Sequence, residues 1–205
     1  MLQWLGFAAL AGAAAVAVRW YLTRVDSLGR TRSFPWISTI LLVLIGVATL
    51  TPWVLRLRLE ARLSDAASQI VGTRVEVDCQ SFGEAFVDAG GELGYVAFGP
   101  DGIPEKMTLI KREQCNDLSA YLGSDKLAPE REHVVAVHVL THEAIHMTGV
   151  TNEADTECIA VQRDAEMARA LDASPEAAQA LATYYWTNVY PRMPSDYRSD
   201  ECAGP

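Results

Sequence analysis

A run of 22 uncharged residues, 34–55 (FPWISTILLVLIGVATLTPWVL), places the strongest constraint on what this chain can fold into. A helix of about 20 apolar residues matches the hydrocarbon thickness of a bilayer. Residues 2–18 form a second uncharged run, of 17 residues, at the short end for a spanning helix. Aromatic rings favour the headgroup level, and five lie near the ends of the runs: Trp4, Trp20, Tyr21, Trp36 and Trp53. We therefore predict that residues 1–59 anchor the chain in a lipid bilayer by two transmembrane helices, at about 2–18 and 34–55.

The first apolar run has a second interpretation, a cleaved signal peptide. A signal peptide carries basic residues before its apolar run, whereas here the arginines follow the run. A retained helical hairpin is therefore the favoured prediction, and the signal peptide is the alternative.

Charge is divided unevenly along the 205 residues. Residues 1–59 contain six arginines and one acid, a balance of +5, and residues 60–205 contain 11 Lys/Arg and 25 Asp/Glu, a balance of −14. Together they give the net charge of −9. An acidic domain without a basic cluster argues against nucleic acid as a partner.

Arginines near the two apolar runs give conflicting indications of membrane orientation. Positive residues favour the cytoplasmic side of a membrane. The loop between the runs would then be cytoplasmic, because it contains Arg19, Arg24, Arg30 and Arg32. The reverse orientation is favoured by the arginines after the second run, which are Arg56, Arg58 and Arg62.

The cysteines favour an extracytoplasmic location for residues 60–205. All four follow the second apolar run, and an even number suits disulfides in an oxidising compartment. Of the three pairings, we predict Cys79–Cys115 and Cys158–Cys202, because each bond joins neighbouring stretches of chain. The alternative is four reduced, buried thiols in a cytosolic domain.

The first half of the predicted extracytoplasmic domain mixes helix and strand patterns. Residues 56–71 place apolar side chains on one helical face, and Gly72 ends that helix. Strands are predicted at 73–79, at 95–98 within a glycine-rich stretch covering 80–105, and at 107–110. Residues 116–122 are predicted to form a short helix.

Three further helices are predicted in the second half. The first begins near Pro129 and ends at Gly149, and its many valines are typical of a buried helix. The second covers about 152–172, and the third runs from Ser174 to about Val189. The fold class is therefore α+β, with a helical C-terminal half and a loop-like tail.

The first of these helices contains an HExxH motif, His142-Glu143-Ala144-Ile145-His146. Residues four apart share a helix face, so both imidazoles can reach one ion and Glu143 can reach a water beside it. Catalytic zinc takes three protein ligands, so the third must come from outside this helix. HExxH also occurs by chance in long helices.

Glu153 is the predicted third ligand. Gly149 lets the chain reverse, and the next helix carries Glu153 and Glu157 four residues apart on one face. Glu153 is predicted to bind the ion, and Glu157 to accept the second N–H of a ligating histidine. The alternative is that both are ordinary first-turn acids that stabilise a helix N-terminus.

The stretch THEAIHMTGVTNEADTEC resembles the active site of zincin metallopeptidases. Its NExxxE segment is similar to the gluzincin NExxxD pattern, which supplies the glutamate ligand and a supporting acid. Only six residues separate His146 from Glu153, however, fewer than in typical gluzincins. Gly149 is instead similar to the glycine of the metzincin signature HExxHxxGxxH, whose third ligand position here is Asn152. The wider pattern HExxHxxGVxxExxxEC, behind two apolar runs, also resembles a group of small bacterial membrane proteins with peptidase-like sites.

The resemblance implies a zincin-like, zinc-dependent peptidase in a bacterial cell membrane. Zn²⁺ activates water and polarises the scissile carbonyl, and Glu143 would transfer the proton to the departing amine. The substrate would be a peptide or protein near the outer membrane face, and residues 94–99 (GYVAFG) would offer it strand-edge hydrogen bonds. The alternative is a membrane-anchored binding or scaffold protein, with a structural or vestigial metal site or with disulfides alone.

Two other residue types are secondary candidates. His138 lies one turn before His142 and can line the site, although a buried histidine bonded to a backbone carbonyl is the commoner case. A tyrosine can donate to a transition-state oxyanion, although tyrosine in a helical core is commoner. The candidates are Tyr184, Tyr185, Tyr190 and Tyr197.

Overall fold

The computed structural model of the chain describes residues 2–81 and 93–205. The chain divides into two compact units, Met1–Arg58 and Leu59–Pro205. Residues 82–92, which belong to the glycine-rich stretch predicted from the sequence, lie outside the described residues.

The first unit contains helix α1 (Leu2–Thr23) and the first part of helix α2 (Trp36–Val71). Both helices are long and apolar enough to cross a membrane by length and composition. Their large apolar side chains are mostly exposed, as in the case of Leu5 and Leu41 at 57% each. The two long apolar helices predicted from the sequence are therefore present, and α1 extends five residues beyond the predicted end.

Helix α2 is longer than the sequence predicted. The second apolar run and the helix at 56–71 are one continuous element of 36 residues, which contains Pro52. The proline lacks an N–H and removes one helical hydrogen bond, but the leucines and arginines that follow are good helix formers. The helix ends at Val71, and Gly72 follows with a φ of 77°, which is accessible to glycine.

A mixed three-stranded sheet lies in the second unit. It consists of β1 (Glu76–Cys79), β2 (Gly94–Phe98) and β3 (Pro104–Ile110), in the order β1-β3-β2. Strand β3 pairs parallel with β1 and antiparallel with β2. Strand β3 begins three residues before its predicted start. Strand β1 begins three residues after its own predicted start.

The outer edge of β1 is covered by the C-terminal part of α2. Three side chains of the helix, spaced four residues apart, accept hydrogen bonds from the backbone of β1 and of the residue just before it. Glu60 accepts the Cys79 N–H at 3.0 Å, Ser64 accepts the Val77 N–H at 2.9 Å, and Ser68 accepts the Val75 N–H at 3.0 Å. Side chains of the helix therefore take the place of a fourth strand.

Four helices complete the unit, and α4 lies at its centre. They are α3 (Arg112–Gly123), α4 (Arg131–His146), α5 (Glu153–Ala170) and α6 (Pro175–Asn188). Helix α4 packs against α3, α5, α6 and two strands, and all its residues from Ala136 to His146 are buried. This agrees with the burial predicted from its many valines. Helix α3 begins four residues before its predicted start.

Two disulfides join these elements, with the pairing predicted from the sequence. Cys79–Cys115 links β1 to α3, and Cys158–Cys202 links α5 to the C-terminal tail. The tail, predicted as a loop, forms two short 3₁₀ turns at Tyr190–Arg192 and Ser195–Tyr197. The second unit is thus a mostly helical domain with a small sheet.

Candidate metal centre

A tight reversal between α4 and α5 brings the HExxH motif beside the first turns of the next helix. Gly149 has a φ of 110°, in the region that favours glycine. Asn152 then caps α5, because its Oδ1 accepts the Asp155 N–H at 3.0 Å. This cap engages the Asn152 side-chain oxygen and fixes the turn that carries Glu153.

Three side chains converge in what we call the outer cluster, which comprises His142, His146 and Glu153. The two histidine Nε2 atoms lie 3.0 Å apart. Glu153 Oε2 lies 3.1 Å from Nε2 of His142 and 3.4 Å from Nε2 of His146. Both histidines are 7% exposed, whereas the Glu153 side chain is 41% exposed.

The second nitrogen of each imidazole determines its tautomer. His142 Nδ1 donates to Glu157 Oε2 at 3.0 Å, and His146 Nδ1 donates to the Val150 carbonyl at 2.8 Å. In a neutral imidazole the other nitrogen then carries a lone pair. With these tautomers, both Nε2 lone pairs point into the same small space as a carboxylate oxygen, an arrangement that could hold a metal ion.

The spacing of the outer cluster fits a tetrahedral metal ion. Zinc–ligand bonds of about 2.0–2.1 Å place neighbouring ligand atoms roughly 3.3 Å apart in a tetrahedron. The observed separations of 3.0, 3.1 and 3.4 Å lie close to this value. Two imidazole nitrogens and one carboxylate oxygen are also a donor set that first-row divalent metals accept.

A second set of side chains, the inner network, lies directly behind the outer cluster. It comprises His138, Glu157, Asp164 and Tyr185, and its three charged members are at most 3% exposed. His138 donates from Nδ1 to Asp164 Oδ2 at 2.8 Å and from Nε2 to Glu157 Oε2 at 2.9 Å. Tyr185 donates its hydroxyl to Glu157 Oε1 at 2.7 Å and stacks on the His138 ring, 3.6 Å between centroids.

Two groups of three residues could hold a metal ion by distance, since their ligand atoms lie within 4.8 Å of one another. One is the outer cluster, and the other is His138, His142 and Glu157. In the second group both nitrogens of His138 face carboxylates. Burial lowers the pKa of His138, but Asp164 and Glu157 outweigh that effect and raise it to about 10. His138 is thus a buried cation, and the bonding pattern favours the outer cluster as the metal site.

Glu157 connects the inner network to the outer cluster. Its Oε2 accepts from both His138 and His142, and its Oε1 accepts from Tyr185. Burial raises the pKa of Glu157, but these three partners and the charge of His138 lower it well below its ordinary value. Glu157 is therefore an ionised, fully bonded acceptor that holds the His142 ring in one orientation.

The electrostatics of the outer cluster favour a cation between its members. Burial lowers the pKa of His142, but its hydrogen bonds to Glu153 and Glu157 raise it overall. The hydrogen bond from His142 in turn lowers the pKa of Glu153. A proton and a metal ion would therefore compete for this position.

Glu143 lies beside these residues and faces the same cleft. It is only 5% exposed, and its side chain packs against Gly94 of β2. A Cβ at position 94 would lie 2.9 Å from Glu143 Cγ and 3.0 Å from its Oε1, so a larger residue would displace the carboxylate. The glycine of β2 thus allows Glu143 to stay at the cleft.

The cleft has a volume of about 1080 Å³ and is lined by residues of the four helices α3 to α6, of β2 and of the C-terminal tail. Phe98 of β2 meets the His146 ring edge-on, with 6.2 Å between centroids. Tyr197 of the tail lies 5.9 Å from the His142 ring. Met193 and Pro194 also line the cleft, so the tail tied down by Cys158–Cys202 forms one of its walls.

The sequence interpretation missed two members of the inner network and the partners of a third. Asp164 was not singled out, although it follows Glu157 by seven residues, about two helical turns, and so lies on the same face of α5. Tyr185 was considered only as an oxyanion donor or a core residue. His138 is buried, but it bonds to carboxylates rather than to the backbone carbonyl that the sequence suggested.

Comparison of the chain with protein-family models, with curated proteins and with solved structures gives no match. The interpretation of this site therefore depends on its own geometry and chemistry.

Proposed function

We propose that this protein is a membrane-anchored zinc metallopeptidase. His142, His146 and Glu153 would hold the ion, and Glu143 would be the general base. The observation that carries the proposal is the convergence of two imidazole lone pairs and one carboxylate oxygen within 3.4 Å, in a cleft that Glu143 also lines.

The number of ligands supports a catalytic rather than a structural ion. A structural zinc site is closed by four protein ligands, whereas a catalytic site has three and leaves one position for water or substrate. The outer cluster contains three such residues among those that the structure describes. His138, the candidate for a fourth ligand, has both ring nitrogens bonded to carboxylates.

When bound, zinc would lower the pKa of a water molecule towards neutrality and polarise the scissile carbonyl. The Glu143 carboxylate then accepts a proton from the attacking water and delivers it to the amine that leaves. His142 keeps its orientation throughout, because Glu157 holds its Nδ1–H at 3.0 Å.

Strand β2 is suited to align an extended peptide along the cleft. Gly94, Tyr95, Val96 and Phe98 line it, and in the described part of the chain β2 pairs with β3 alone. An extended peptide can add its backbone to such an edge and place alternate side chains in the cleft. Gly94 would bring that backbone next to Glu143.

The compartment is part of the proposal. The two apolar helices would anchor the chain in a bacterial membrane, and the second unit would face the oxidising side. Its substrates would then be peptides or proteins near the outer membrane face.

The test uses the full chain in lipid nanodiscs. We expect about one zinc per chain by elemental analysis, and casein turnover that a chelator abolishes and added zinc restores. Glu143→Gln should keep its zinc and lose turnover by about 10²- to 10⁴-fold, the usual contribution of a general base.

Each experimental outcome distinguishes the proposed function from one alternative. Zinc without turnover in the wild type would favour the scaffold function, and an absence of bound metal would remove both zinc functions. Full turnover in Glu143→Gln would exclude Glu143 as the base. Asp155→Asn, an exposed acid on the same turn as Glu153, is the matched control and should change neither metal content nor turnover.

A further inference from the structure

The cleft that contains the outer cluster continues along α4 to a second end. Five lining residues are spaced three or four positions apart and so share one face of this helix: Glu132, Val135, Val139, His142 and His146. Glu132 precedes His142 by ten residues, a distance of about 15 Å along a helix that rises 1.5 Å per residue. The two ends of the cleft are therefore far enough apart for separate contacts with one ligand.

We call the second end the acidic end. It is formed by Glu113 and Asp117 of α3, one turn apart, and by Glu132 of α4. Burial raises the pKa of Asp117; the nearby His133 opposes this effect, and the negative charges of Glu132 and Glu113 add to it. These carboxylates are thus close enough to repel one another.

Gln114 gives an independent indication that this end receives a hydrogen-bond donor. It lines the cleft three residues before Asp117 and is 9% exposed. Its Oε1 is buried and has no hydrogen-bond partner among the described residues. A buried acceptor that lacks a donor destabilises a protein, and a ligand N–H would satisfy it.

The acids are arranged for a long cationic group rather than for a metal ion. Within residues 2–81 and 93–205, only the two groups already described bring three ligand atoms within 4.8 Å of one another, and neither includes Glu113, Asp117 or Glu132. The nearby cationic side chain, Arg131, offsets one of the three carboxylate charges. A guanidinium or an ammonium on a flexible stem can reach several separated acceptors.

We propose that the acidic end binds a lysine or arginine side chain of an extended peptide whose scissile bond lies at the outer cluster. This inference rests on the proposed peptidase function and names its substrate class. At about 3.3–3.4 Å per residue of extended chain, a span of about 15 Å corresponds to four or five residues. The preferred substrate therefore carries a basic residue four or five positions from the bond that is cut.

The overall charge of the second unit agrees with this preference. Residues 60–205 have a balance of −14, so the field around the cleft attracts positively charged peptides and increases their rate of encounter. The acidic end then converts a general attraction into a preference at one position.

Binding and cleavage are measured separately, so that the preference for a basic residue and the peptidase function can each be contradicted independently. The probes are fluorescein-labelled decapeptides of alanine, serine and glutamine that contain a single arginine, or glutamine at the same position. Binding is measured by fluorescence anisotropy with zinc-loaded Glu143→Gln protein in phosphatidylcholine nanodiscs, and empty nanodiscs correct for binding to lipid. Cleavage of the same peptides by the wild type is followed by mass spectrometry.

We expect the arginine peptide to bind about tenfold more tightly, as a charge-assisted hydrogen bond allows. Glu113→Gln combined with Asp117→Asn should reduce this ratio to below about twofold. Asp65→Asn combined with Glu76→Gln removes two exposed charges from outside the cleft and should preserve it. Gln114→Met should lower the affinity for the arginine peptide without lowering the thermal stability, since it removes an unsatisfied acceptor.

Equal binding of the two peptides, or an equal loss of preference in both double variants, would overturn the inference. Cleavage without a basic preference would also overturn it and leave the peptidase function intact. A preference for arginine without any cleavage would instead overturn the peptidase function and support a basic-peptide binding site.

Discussion

The inner network and the outer cluster use the same residue types in opposite ways. In the inner network, each ring nitrogen of His138 lies beside a carboxylate oxygen, so each ring N–H has a hydrogen-bond acceptor. In the outer cluster, two imidazole nitrogens lie 3.0 Å apart with a carboxylate oxygen beside them, so one cation can be shared by all three atoms. The difference teaches that histidines and carboxylates alone do not define a metal site, since the placement of the protons distinguishes an ion-pair network from a set of ligands.

The inner network and the outer cluster also differ in solvent exposure. The inner network is sealed, with Asp164 at 0% and Glu157 at 1% exposure. The outer cluster opens to the cleft through Glu153, whose side chain is 41% exposed. We therefore expect changes in the inner network to affect folding most, and changes in the outer cluster to affect metal binding most.

His138→Leu tests the inner half of this comparison and should have the largest effect. It leaves Glu157 and Asp164 buried without their cation, and breaking a buried ion pair costs about 3–5 kcal/mol of unfolding free energy. The measurement is urea unfolding of chelator-treated protein. Val139→Ala, a neighbouring truncation on the same helix, is the control for lost packing alone and should cost less. A loss below about 1 kcal/mol would mean that the network is not ionic.

Glu153→Gln tests the outer half. Removing a charged ligand should weaken zinc binding by more than the roughly 10–100-fold that loss of a supporting partner costs. The unfolding free energy of the metal-free protein should fall by less than in His138→Leu, because the Glu153 side chain is 41% exposed and solvent screens its interactions. Competition with a chromophoric chelator gives the affinity. If metal-free stability fell as far as in His138→Leu, the two groups would not be separable.

Tyr185→Phe sharpens the comparison, because Tyr185 contacts Glu157 but none of the outer cluster's ligand atoms. The substitution removes one hydrogen bond to a buried carboxylate and should cost about 1–3 kcal/mol of unfolding free energy. Zinc affinity should fall less than in Glu153→Gln. Tyr184→Phe, at the preceding and more exposed position, is the matched control and should leave both quantities unchanged. The reverse order of the two tyrosine variants would contradict the network.

The pH dependence of the unfolding free energy should also distinguish the inner network from the outer cluster, through a gradual change with each pH unit. The pKa of His138 rises from 6.5 to about 10 on folding, so the folded state binds a proton that the unfolded state has lost. This stabilisation is complete below about pH 6.5 and is lost as pH rises through about 10, with a slope of up to roughly 1.4 kcal/mol per pH unit. Chelator-treated wild type should follow this slope in urea unfolding between pH 7 and 10. His138→Leu should be flatter there, whereas an equal slope in both proteins would assign the titration to another group.

Local spacing made the outer cluster predictable. HExxH places two histidines on one helix face, Gly149 reverses the chain, and the next helix presents Glu153 at its first position. Each step depends on residues within a few positions of each other. The disulfide pairing was also predicted correctly, because each cysteine bonds to its neighbour in cysteine order, although the bonded residues lie 36 and 44 positions apart.

Long-range packing made the inner network unpredictable. Asp164 reaches His138 across 26 residues, and Tyr185 reaches Glu157 across 28. No periodicity within one helix indicates which face of α6 will meet α5. The strand order β1-β3-β2 was likewise beyond local patterns, because it depends on how the chain crosses between β1 and β3.

The coverage of β1 by α2 has a practical consequence for recombinant production of the second unit. Glu60, Ser64 and Ser68 accept the N–H groups that a fourth strand would otherwise bind. A truncated gene that begins after Gly72 would leave that edge open, and open strand edges promote self-association. Expression of the unit without its apolar helices therefore requires a start no later than Leu59.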